Sequence, residues 1–262
     1  MSDTILEVSG LSMYFGGIHA VEDVDLDIRK GEIVALIGPN GAGKTTFFNC
    51  LTGIYDPTAG EILLHRPEMK PARLNGLKPN KVTEKGMART FQNIRLFQNM
   101  TVLENVMIGR HCRTKSFIAG AIFRTRHNRQ EEREIVDRSY GILEKIGLAD
   151  NVNDLAKNLS YGQQRRLEIG RALATDPFLL LLDEPAAGMN PQETKDLDDL
   201  ITRIRKDGLS ILLIEHDMKL VMSISDRIFV MDYGKRIAHG TPEEVRANSS
   251  VIKAYLGEDV HA

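Results

Sequence analysis

Cysteine is scarce in this chain, and long apolar runs are absent from it. Cys50 and Cys112 are the only cysteines among 262 residues, and they lie far apart in unlike sequence contexts. They indicate no disulfide framework and are typical of a protein kept in a reducing compartment. The longest apolar runs, at 33–37 and 178–182, fall far short of the ~20 residues that a membrane helix needs. If the protein works at a membrane, we therefore expect it to dock there through a partner.

The chain also lacks an excess of charge of either sign. Its 34 basic and 36 acidic side chains give a formal net charge of −2. Because a strongly basic surface is what attracts phosphate backbones, we expect no nucleic acid as the main partner. The amino-terminal residues lack the basic start and apolar stretch of a signal peptide. A composition of 42% hydrophobic and 27% charged residues predicts an ordinary globular protein, with one large domain or two small ones.

The strongest motif is the glycine-rich segment 38–45, which reads Gly-Pro-Asn-Gly-Ala-Gly-Lys-Thr. It fits the pattern G-x-x-x-x-G-K-[ST] of a loop that binds phosphate groups. Its three glycines let successive backbone N–H groups point inward at an anion. Lys44 would reach the β- and γ-phosphates, and the Thr45 hydroxyl would ligate Mg²⁺. The segment therefore predicts a site for a magnesium–nucleoside triphosphate.

The residues on either side of this loop support that prediction. The run 33–37 predicts a buried strand before the loop, and residues 45–51 predict a helix after it that ends at Gly53. A strand, a loop and a helix in this order are the context that the motif requires. Alternating apolar residues in the first thirty positions predict short, half-exposed strands.

The remaining apolar runs predict an α/β sheet. Buried strands are predicted at 178–182, 211–214 and 228–231, and a helix is predicted at 192–205. Helices between such strands indicate crossover connections and hence parallel strands.

Between about Met100 and Thr175 the pattern changes, because β-branched runs become scarce and helix formers dominate. Helices are predicted at 102–108, 131–146 and 162–174. We interpret this segment as a mostly helical insertion between two parts of the core. From Thr241 onward, a capped helix start is followed by a short closing helix near 251–256.

Two carboxylates, Asp183 and Glu184, follow the predicted strand at 178–182. A carboxylate at the carboxyl end of a buried parallel strand lies where open α/β sheets bind ligands. We expect Asp183 to hold Mg²⁺ through water and Glu184 to polarise the attacking water. A plain turn at the end of the strand would explain both residues in isolation, but the phosphate-binding loop makes that alternative the weaker one.

Three further segments carry weaker signals. Ser160 and Gln163 fit the S-x-x-Q capping box of a helix start, and capping alone would explain them. A capped helix start also presents free N–H groups to an anion, including a γ-phosphate held by another subunit. His216 follows a predicted strand and so lies at the same sheet edge, although a lone histidine there is more often structural. Gln92 is weaker still in isolation.

Taken in order, these segments resemble the nucleotide-binding subunit of ABC transporters, and the resemblance covers essentially the whole chain. Phe15 before Gly16 resembles the aromatic residue that stacks on adenine, and Gln92 resembles the glutamine of the loop that senses the membrane subunit. Residues 159–163 resemble the signature sequence, and His216 resembles the switch histidine. In that family two subunits enclose two ATP molecules head to tail, and each site is completed by the signature of the other subunit.

The resemblance implies an α/β fold, a P-loop NTPase core with a mixed or parallel sheet, an antiparallel β subdomain and a helical subdomain. All of these would belong to a single ABC ATPase domain spanning residues 1–262. The implied core comprises 1–92 and 176–245, the implied helical subdomain 93–175, and the implied tail 246–262.

The resemblance also implies roles for individual residues. Catalysis would involve Lys44, Gln92, Glu184 and His216, and Mg²⁺ would be held by Thr45, Gln92 and Asp183. The nucleotide would contact Phe15, Gly38, Pro39, Asn40, Gly41, Ala42, Gly43, Lys44, Thr45 and Thr46. The signature acting on the nucleotide of the other subunit would be Ser160, Tyr161, Gly162 and Gln163. ATP and Mg²⁺ are the cofactors that follow.

Several stretches narrow the resemblance to the ATPases of branched-chain amino-acid importers. They lie at 89–97, 161–169, 184–190, 215–221 and 255–258, and the enlarged helical region around 111–133 also fits. The implied function is ATP hydrolysis that energises the import of leucine, isoleucine and valine. The implied partners are a second ATPase subunit, two membrane permease subunits and, indirectly, a periplasmic substrate-binding protein. The implied location is cytoplasmic, on the inner face of the cell membrane through the permease subunits.

Two residues depart from the pattern of the wider family. Tyr161 stands where the usual signature has glycine, and Asn190 stands where the loop after the catalytic glutamate usually has aspartate. Ser160 and Gly162, which supply the hydroxyl and backbone contacts, are retained. We therefore expect hydrolysis to survive, with unequal rates at the two composite sites.

Other functions stay open from the sequence. A nucleotide-gated interaction subunit without hydrolysis would also suit the altered signature and Asn190, although Lys44, Glu184 and His216 argue against it. A urea or amide importer, or a lipopolysaccharide exporter, would use a similar ATPase. Soluble ABC ATPases of DNA repair or translation carry coiled-coil arms or two ATPase units per chain, and this sequence has neither pattern.

Overall fold

A computed structural model of the chain describes residues 3–66, 69–110, 112 and 126–256. Its strands are β1 Thr4–Phe15, β2 Ile18–Arg29, β3 Ile33–Ile37, β4 Ala59–Leu64, β5 Ala72–Arg73, β6 Met87–Arg89, β7 Leu179–Asp183, β8 Ser210–Ile214, β9 Arg227–Asp232 and β10 Lys235–Gly240. Its α-helices are α1 Lys44–Leu51, α2 Pro79–Glu84, α3 Val102–Arg110, α4 Arg126–Lys145, α5 Tyr161–Leu173, α6 Pro191–Lys206, α7 Met218–Ile224, α8 Pro242–Arg246 and α9 Ser249–Leu256.

The larger sheet has the strand order β10-β9-β3-β8-β7-β6. All neighbouring pairs are parallel except β9 with β10. Every residue of β3, β7 and β8 is buried, as expected for continuous apolar runs with both faces covered. The strands predicted around 178–182, 211–214 and 228–231 are therefore confirmed, with bounds shifted by one residue. The sheet is mixed, because only β10 runs against the others.

A second, antiparallel sheet has the order β2-β1-β4-β5. The prediction of short strands at the amino terminus was wrong in length, since β1 and β2 each span 12 residues. Register shifts interrupt their pairing, so that no strict apolar alternation runs along either strand. One face of this sheet packs on α1 in a shared hydrophobic core, which contains Leu11, Val24 and Phe48.

The segment from 93 to 175 is mainly helical where the structure describes it, and it contains α3, α4 and α5. Glycine, which has no side chain, allows these helices to pack closely against neighbouring residues. A Cβ on Gly109 of α3 would overlap the Arg171 carbonyl oxygen of α5, and one on Gly170 would crowd Ile146. The boundaries 1–92, 93–175 and 176–245 remain predictions, and residues 111 and 113–125 of the predicted enlarged helical region lie outside the described residues.

The carboxyl-terminal prediction holds for the part that the structure describes. The Thr241 hydroxyl accepts a hydrogen bond from the Glu244 N–H, and the Glu244 side chain accepts one from the Thr241 N–H, so α8 begins with a capping box. Helix α9 follows at once. The end of the predicted tail, residues 257–262, lies outside the described residues.

Chemical labelling of the two cysteines tests how α1 packs in the core. Cys50 is buried on α1 within the hydrophobic core, and burial raises the pKa of its thiol to about 12. Cys112 is exposed. Because the thiolate is the reactive form, we expect iodoacetamide at pH 8 to alkylate only Cys112 in the native protein. Peptide mass spectrometry before and after denaturation measures this, and native labelling of Cys50 would contradict the core packing of α1.

Candidate functional site

The segment 38–45 joins the end of β3 to the start of α1, as the motif requires. Gly38, Gly41 and Gly43 all have positive φ angles. A Cβ at Gly38 would overlap the Met231 carbonyl oxygen, and one at Gly43 would overlap the Ala20 carbonyl oxygen. Glycine is thus required at both positions for its backbone angle and for its lack of a side chain. The conformation leaves the N terminus of α1 open toward an anion.

Lys44 is buried inside this loop. Its Nζ donates hydrogen bonds to the carbonyl oxygens of Gly38 at 2.7 Å and Pro39 at 2.8 Å. Burial lowers the pKa of the Lys44 ammonium, and the nearby negative charges of Glu184 and Asp183 oppose that shift. The lysine is therefore held on the loop and lies within the electrostatic reach of both predicted carboxylates.

Asp183 ends β7 and pairs in register with Ile214 at the end of the neighbouring β8. Its carboxylate is buried and accepts a hydrogen bond from Arg89 Nη2 at 2.6 Å. Arg89 also donates to Asn49 Oδ1 and Thr52 Oγ1. The carboxylate is thus paired with a guanidinium, and its role in holding Mg²⁺ stays a prediction.

Glu184 follows with a backbone φ of 47°, in the left-handed region that non-glycine residues rarely adopt. Its Oε2 accepts a hydrogen bond from Gln92 Nε2 at 2.8 Å, and its Oε1 lies 2.9 Å from His216 Nε2. Three residues far apart in the sequence are thereby brought together. Such backbone strain is typical of functional sites, where the surrounding structure fixes the side chain.

A cavity of about 430 Å³ lies between the loop and these side chains. It is lined by Ile18, His19, Ala20, Asn40, Gly41, Ala42, Gly43, Lys44, Thr45, Thr46, Glu184, His216, Tyr233 and Gly234. Phe15 is not among the lining residues. It is half exposed and packs edge-on against Tyr55, with ring centroids 5.3 Å apart. Ile18 and His19 line the cavity, whereas the predicted adenine-stacking residue does not.

The oxygen donors at this edge suit Mg²⁺ bound together with a phosphate. The Thr45 hydroxyl and the Asp183 carboxylate are the kind of ligand that Mg²⁺ prefers, and Mg²⁺ usually takes one or two carboxylates plus substrate phosphates. Within the parts of the chain that the structure describes, no group of three or more His, Cys, Asp or Glu residues could hold a metal ion alone. The residues thus fit a metal that arrives with its nucleotide.

The predicted signature lies away from this cavity. Ser160 caps α5: its hydroxyl accepts from the Gln163 N–H, and the Gln163 side chain accepts from the Ser160 N–H, so the predicted capping box is confirmed. A separate cavity of about 290 Å³ is lined by Ser160, Gly162, Gln163, Arg166, Met189, Glu193 and Asp196. The two cavities share no lining residue, and none of the predicted signature residues lines the cavity at the loop.

Asn190 has a structural role that the sequence pattern did not reveal. It caps α6, where its side-chain oxygen accepts hydrogen bonds from the N–H groups of Gln192 and Glu193 at 3.0 Å each. Asparagine and aspartate are equally good at this position. The replacement of the usual aspartate therefore keeps the helix start.

Sequence reasoning also missed four charged residues around the site: Arg89, Arg165, Glu168 and Glu215. Arg165 is fully buried and donates to the carbonyl oxygens of Phe91 and Gln92 at 2.7 Å each, while Glu168 pairs with it. No spacing rule links α5 to residues more than 70 positions earlier. The one available signal was the presence of charged residues within otherwise helical or apolar runs.

None of the helices in the described parts of the chain is long and apolar enough to cross a membrane. The sequence profile of the ABC transporter family matches residues 21–187, and a profile described as branched-chain amino acid ATP-binding cassette transporter matches residues 235–261.

Known proteins are similar over nearly the full length. The high-affinity branched-chain amino acid transport ATP-binding protein LivG of Salmonella typhimurium is 52% identical over 259 residues, covering 98% of this chain and 100% of the relative. The corresponding protein BraF of Pseudomonas aeruginosa is 51% identical with the same coverage.

Solved structures are similar in the same way. A nucleotide-free ATP-binding cassette from an ABC transporter superposes with a TM-score of 0.83 at 31% identity, covering 97% of this chain and 100% of the other. A dimeric cassette in a post-hydrolysis state, bound to ADP and phosphate, superposes with a TM-score of 0.74 at 25% identity, covering 91% and 99%. The resemblance inferred from the motifs is confirmed: the chain belongs to the ABC transporter family and has the fold of its ATP-binding cassettes.

Proposed function

We propose that this protein hydrolyses ATP and thereby energises an importer of branched-chain amino acids. The observation that carries the proposal is the position of the Glu184 carboxylate, held between Gln92 and His216 at the wall of the phosphate cavity. A binding module without hydrolysis has no need for a strained glutamate at that point. The position and backbone strain of Glu184 therefore favour hydrolysis over a nucleotide-gated subunit that does not hydrolyse ATP.

The side chains supply the chemistry of phosphoryl transfer to water. The backbone N–H groups of residues 40–45 and the Lys44 ammonium would bind the phosphates and stabilise charge as the γ-phosphoryl group is transferred. Glu184 would accept a proton from the water whose oxygen attacks the γ-phosphorus, while the bond to the leaving ADP oxygen breaks. Thr45, Asp183 and Gln92 would hold Mg²⁺, which neutralises phosphate charge when bound.

The hydrogen bonds at Glu184 would change when nucleotide binds, because the family resemblance gives Gln92 and His216 other partners. Both carboxylate oxygens already have partners, in Gln92 Nε2 and His216 Nε2. Each oxygen keeps a second lone pair for the attacking water, so water can be bound while the bonds to the two side chains open. His216 can then turn to the γ-phosphate, and Gln92 can turn to the metal, which are the roles implied by the family resemblance.

A second cassette is part of the proposal. The signature cavity around Ser160 is separate from the phosphate cavity, so a composite site needs the signature of another subunit. The similarity to a cassette described as dimeric supports this arrangement. Whether the second subunit is a copy of this chain or a related one does not change the chemistry.

We further propose two permease subunits as membrane partners, with a periplasmic binding protein reached indirectly. A surface cavity of about 410 Å³ lies beside the Gln92 loop, between α2, α3 and α5, and is lined in part by Arg89, Phe97 and Arg171. Phe97 is half exposed there. A permease segment seated in it would be coupled to Gln92 and so to Glu184. This docking would keep the protein on the cytoplasmic face of the membrane.

Glu215 adds a positioning contact that the mechanism needs. It is buried, and its two oxygens accept hydrogen bonds from the N–H groups of Ala186 at 2.7 Å and His216 at 3.0 Å. Burial raises the pKa of Glu215, and the hydrogen bonds from Ala186 and His216 oppose that shift. The carboxylate thus ties the loop after Glu184 to the loop that carries His216.

We predict that Glu184→Gln lowers the rate of ATP hydrolysis by more than about 100-fold while leaving ATP affinity within a factor of about three. The amide keeps the shape of the side chain and cannot accept the proton. Phosphate release with Mg-ATP, alone and with the partner cassette, measures the rate, and a fluorescent ATP analogue measures affinity. Glu243→Gln, at an exposed position of α8, is the matched control, and rapid turnover by the Glu184 variant would refute the assignment.

For Glu215→Gln we predict both lower stability and slower hydrolysis. The amide nitrogen would face an N–H donor, and one buried donor left without an acceptor costs about 1–3 kcal/mol. We expect the melting temperature to fall by several degrees and hydrolysis to fall about tenfold, because both loops at Glu184 are displaced. Calorimetry and phosphate release measure the two effects. An unchanged melting temperature together with an unchanged hydrolysis rate would show that Glu215 does not position these loops.

The cargo is tested in cells. We predict that deleting the gene removes high-affinity uptake of radiolabelled leucine, isoleucine and valine, and that the wild-type gene restores uptake whereas the Glu184→Gln gene does not. Urea and acetamide uptake serve as controls. Loss of urea or amide uptake with normal leucine uptake would contradict the proposed cargo and leave the ATPase assignment intact.

A further inference from the structure

Tyr161 contacts the loop that follows Glu184. This tyrosine stands at the first position of α5, and its side chain is 44% exposed. Its hydroxyl donates a hydrogen bond to the Ala187 carbonyl oxygen at 2.9 Å. Its ring covers Gly188, where an added Cβ would meet ring atoms at 3.5 Å. The side chain that replaces glycine in the signature therefore reaches across to residues 187 and 188 of the same chain.

The same hydroxyl also receives a hydrogen bond. Arg165, one helical turn further along α5, lies 3.4 Å from the Tyr161 oxygen through Nη2. That nitrogen also donates to the Gln92 carbonyl oxygen at 2.7 Å. Arg165 is fully buried and paired with Glu168, so its position is fixed. A phenol can donate one hydrogen bond while accepting another, and Tyr161 does both.

These contacts close into a ring around Glu184. The Glu184 carboxylate binds the Gln92 side chain, and the Gln92 carbonyl binds Arg165. Arg165 contacts the Tyr161 hydroxyl, which binds the Ala187 carbonyl. The Ala187 N–H returns to the Glu184 carbonyl oxygen at 3.2 Å. With glycine at position 161 the ring would be open, because no side chain would join α5 to Ala187.

We propose that Tyr161 is a positioning residue that fixes the loop at 185–190 and thereby the strained backbone of Glu184 in its own chain. This inference rests on the proposed hydrolysis at Glu184. The hydroxyl does not touch reacting atoms in this role and acts through Ala187. In a dimer of cassettes, the signature that a chain contributes to its partner's site would therefore be linked, through Tyr161 and Ala187, to Glu184 of the same chain.

The test compares Tyr161→Phe with the wild type and with Tyr140→Phe, an exposed tyrosine on α4. The phenylalanine keeps the ring on Gly188 and removes only the hydroxyl. We expect kcat for ATP hydrolysis in the complex with the partner cassette to fall about fivefold to tenfold, the value of one hydrogen bond. The KM for ATP should stay within twofold. Tyr140→Phe should match the wild type.

Hydrogen exchange supplies a readout that needs no turnover. In the nucleotide-free protein we expect amides of residues 187–189 to exchange about fivefold to tenfold faster in Tyr161→Phe, with α5 and β7 unchanged. Unaltered exchange and unaltered kcat in that variant would overturn the proposal. Because exchange is measured without ATP, it tests the contact between Tyr161 and the loop at 185–190 even if the wild-type protein does not hydrolyse ATP. A lack of hydrolysis would refute the proposed function separately.

Measuring the association of two cassettes distinguishes the proposed role of Tyr161 from a role in the neighbouring subunit. ATP should hold two cassettes together when hydrolysis is blocked, so Glu184→Gln serves as the background for sedimentation with Mg-ATP. We expect Tyr161→Phe to leave ATP-dependent association in that background unchanged. Association weakened several-fold, with a raised KM for ATP and an unchanged kcat, would mean that the hydroxyl acts on the partner's nucleotide. That result would contradict the role in its own chain.

Discussion

The parallel pairing of β3, β8 and β7 is the constraint on which the site depends. Because parallel strands end at one edge, their register places the phosphate-binding loop, Asp183 and His216 side by side. Asp183 lies opposite Ile214, and the Glu184 N–H donates to the Ile214 carbonyl oxygen at 2.9 Å. A slip of one residue in β7 would turn Asp183 to the other face of the sheet and separate Glu184 from its partners.

The charged groups at this edge have hydrogen-bond partners within the chain. Lys44 donates to the carbonyl oxygens of its own loop, Asp183 is paired with Arg89, and Glu184 is held by Gln92 and His216. Each of these groups would otherwise bear the cost of burial without a partner. Binding of a charged phosphate chain is therefore an exchange of partners, and its affinity is the difference between two well-paired states.

The sequence predicted local features well and contacts between distant residues poorly. The order of strand, glycine-rich segment and helix at 33–51, the buried strands and the Ser160 and Thr241 capping boxes are local patterns, and all were predicted correctly. The lengths of β1 and β2 were not, because bulges in their pairing break the apolar alternation. Contacts such as that of Arg165 with the Gln92 carbonyl join residues 73 positions apart, and no local pattern encodes them.

We infer that this sheet edge binds a nucleotide through its phosphate groups. Titration calorimetry of the purified protein with Mg-ATP, Mg-ADP and adenosine measures this binding. We expect saturable binding of ATP and ADP and no measurable binding of adenosine, because the loop amides and Lys44 supply most of the interaction. Absence of Mg-ATP binding, or adenosine binding as tight as that of ATP, would contradict it.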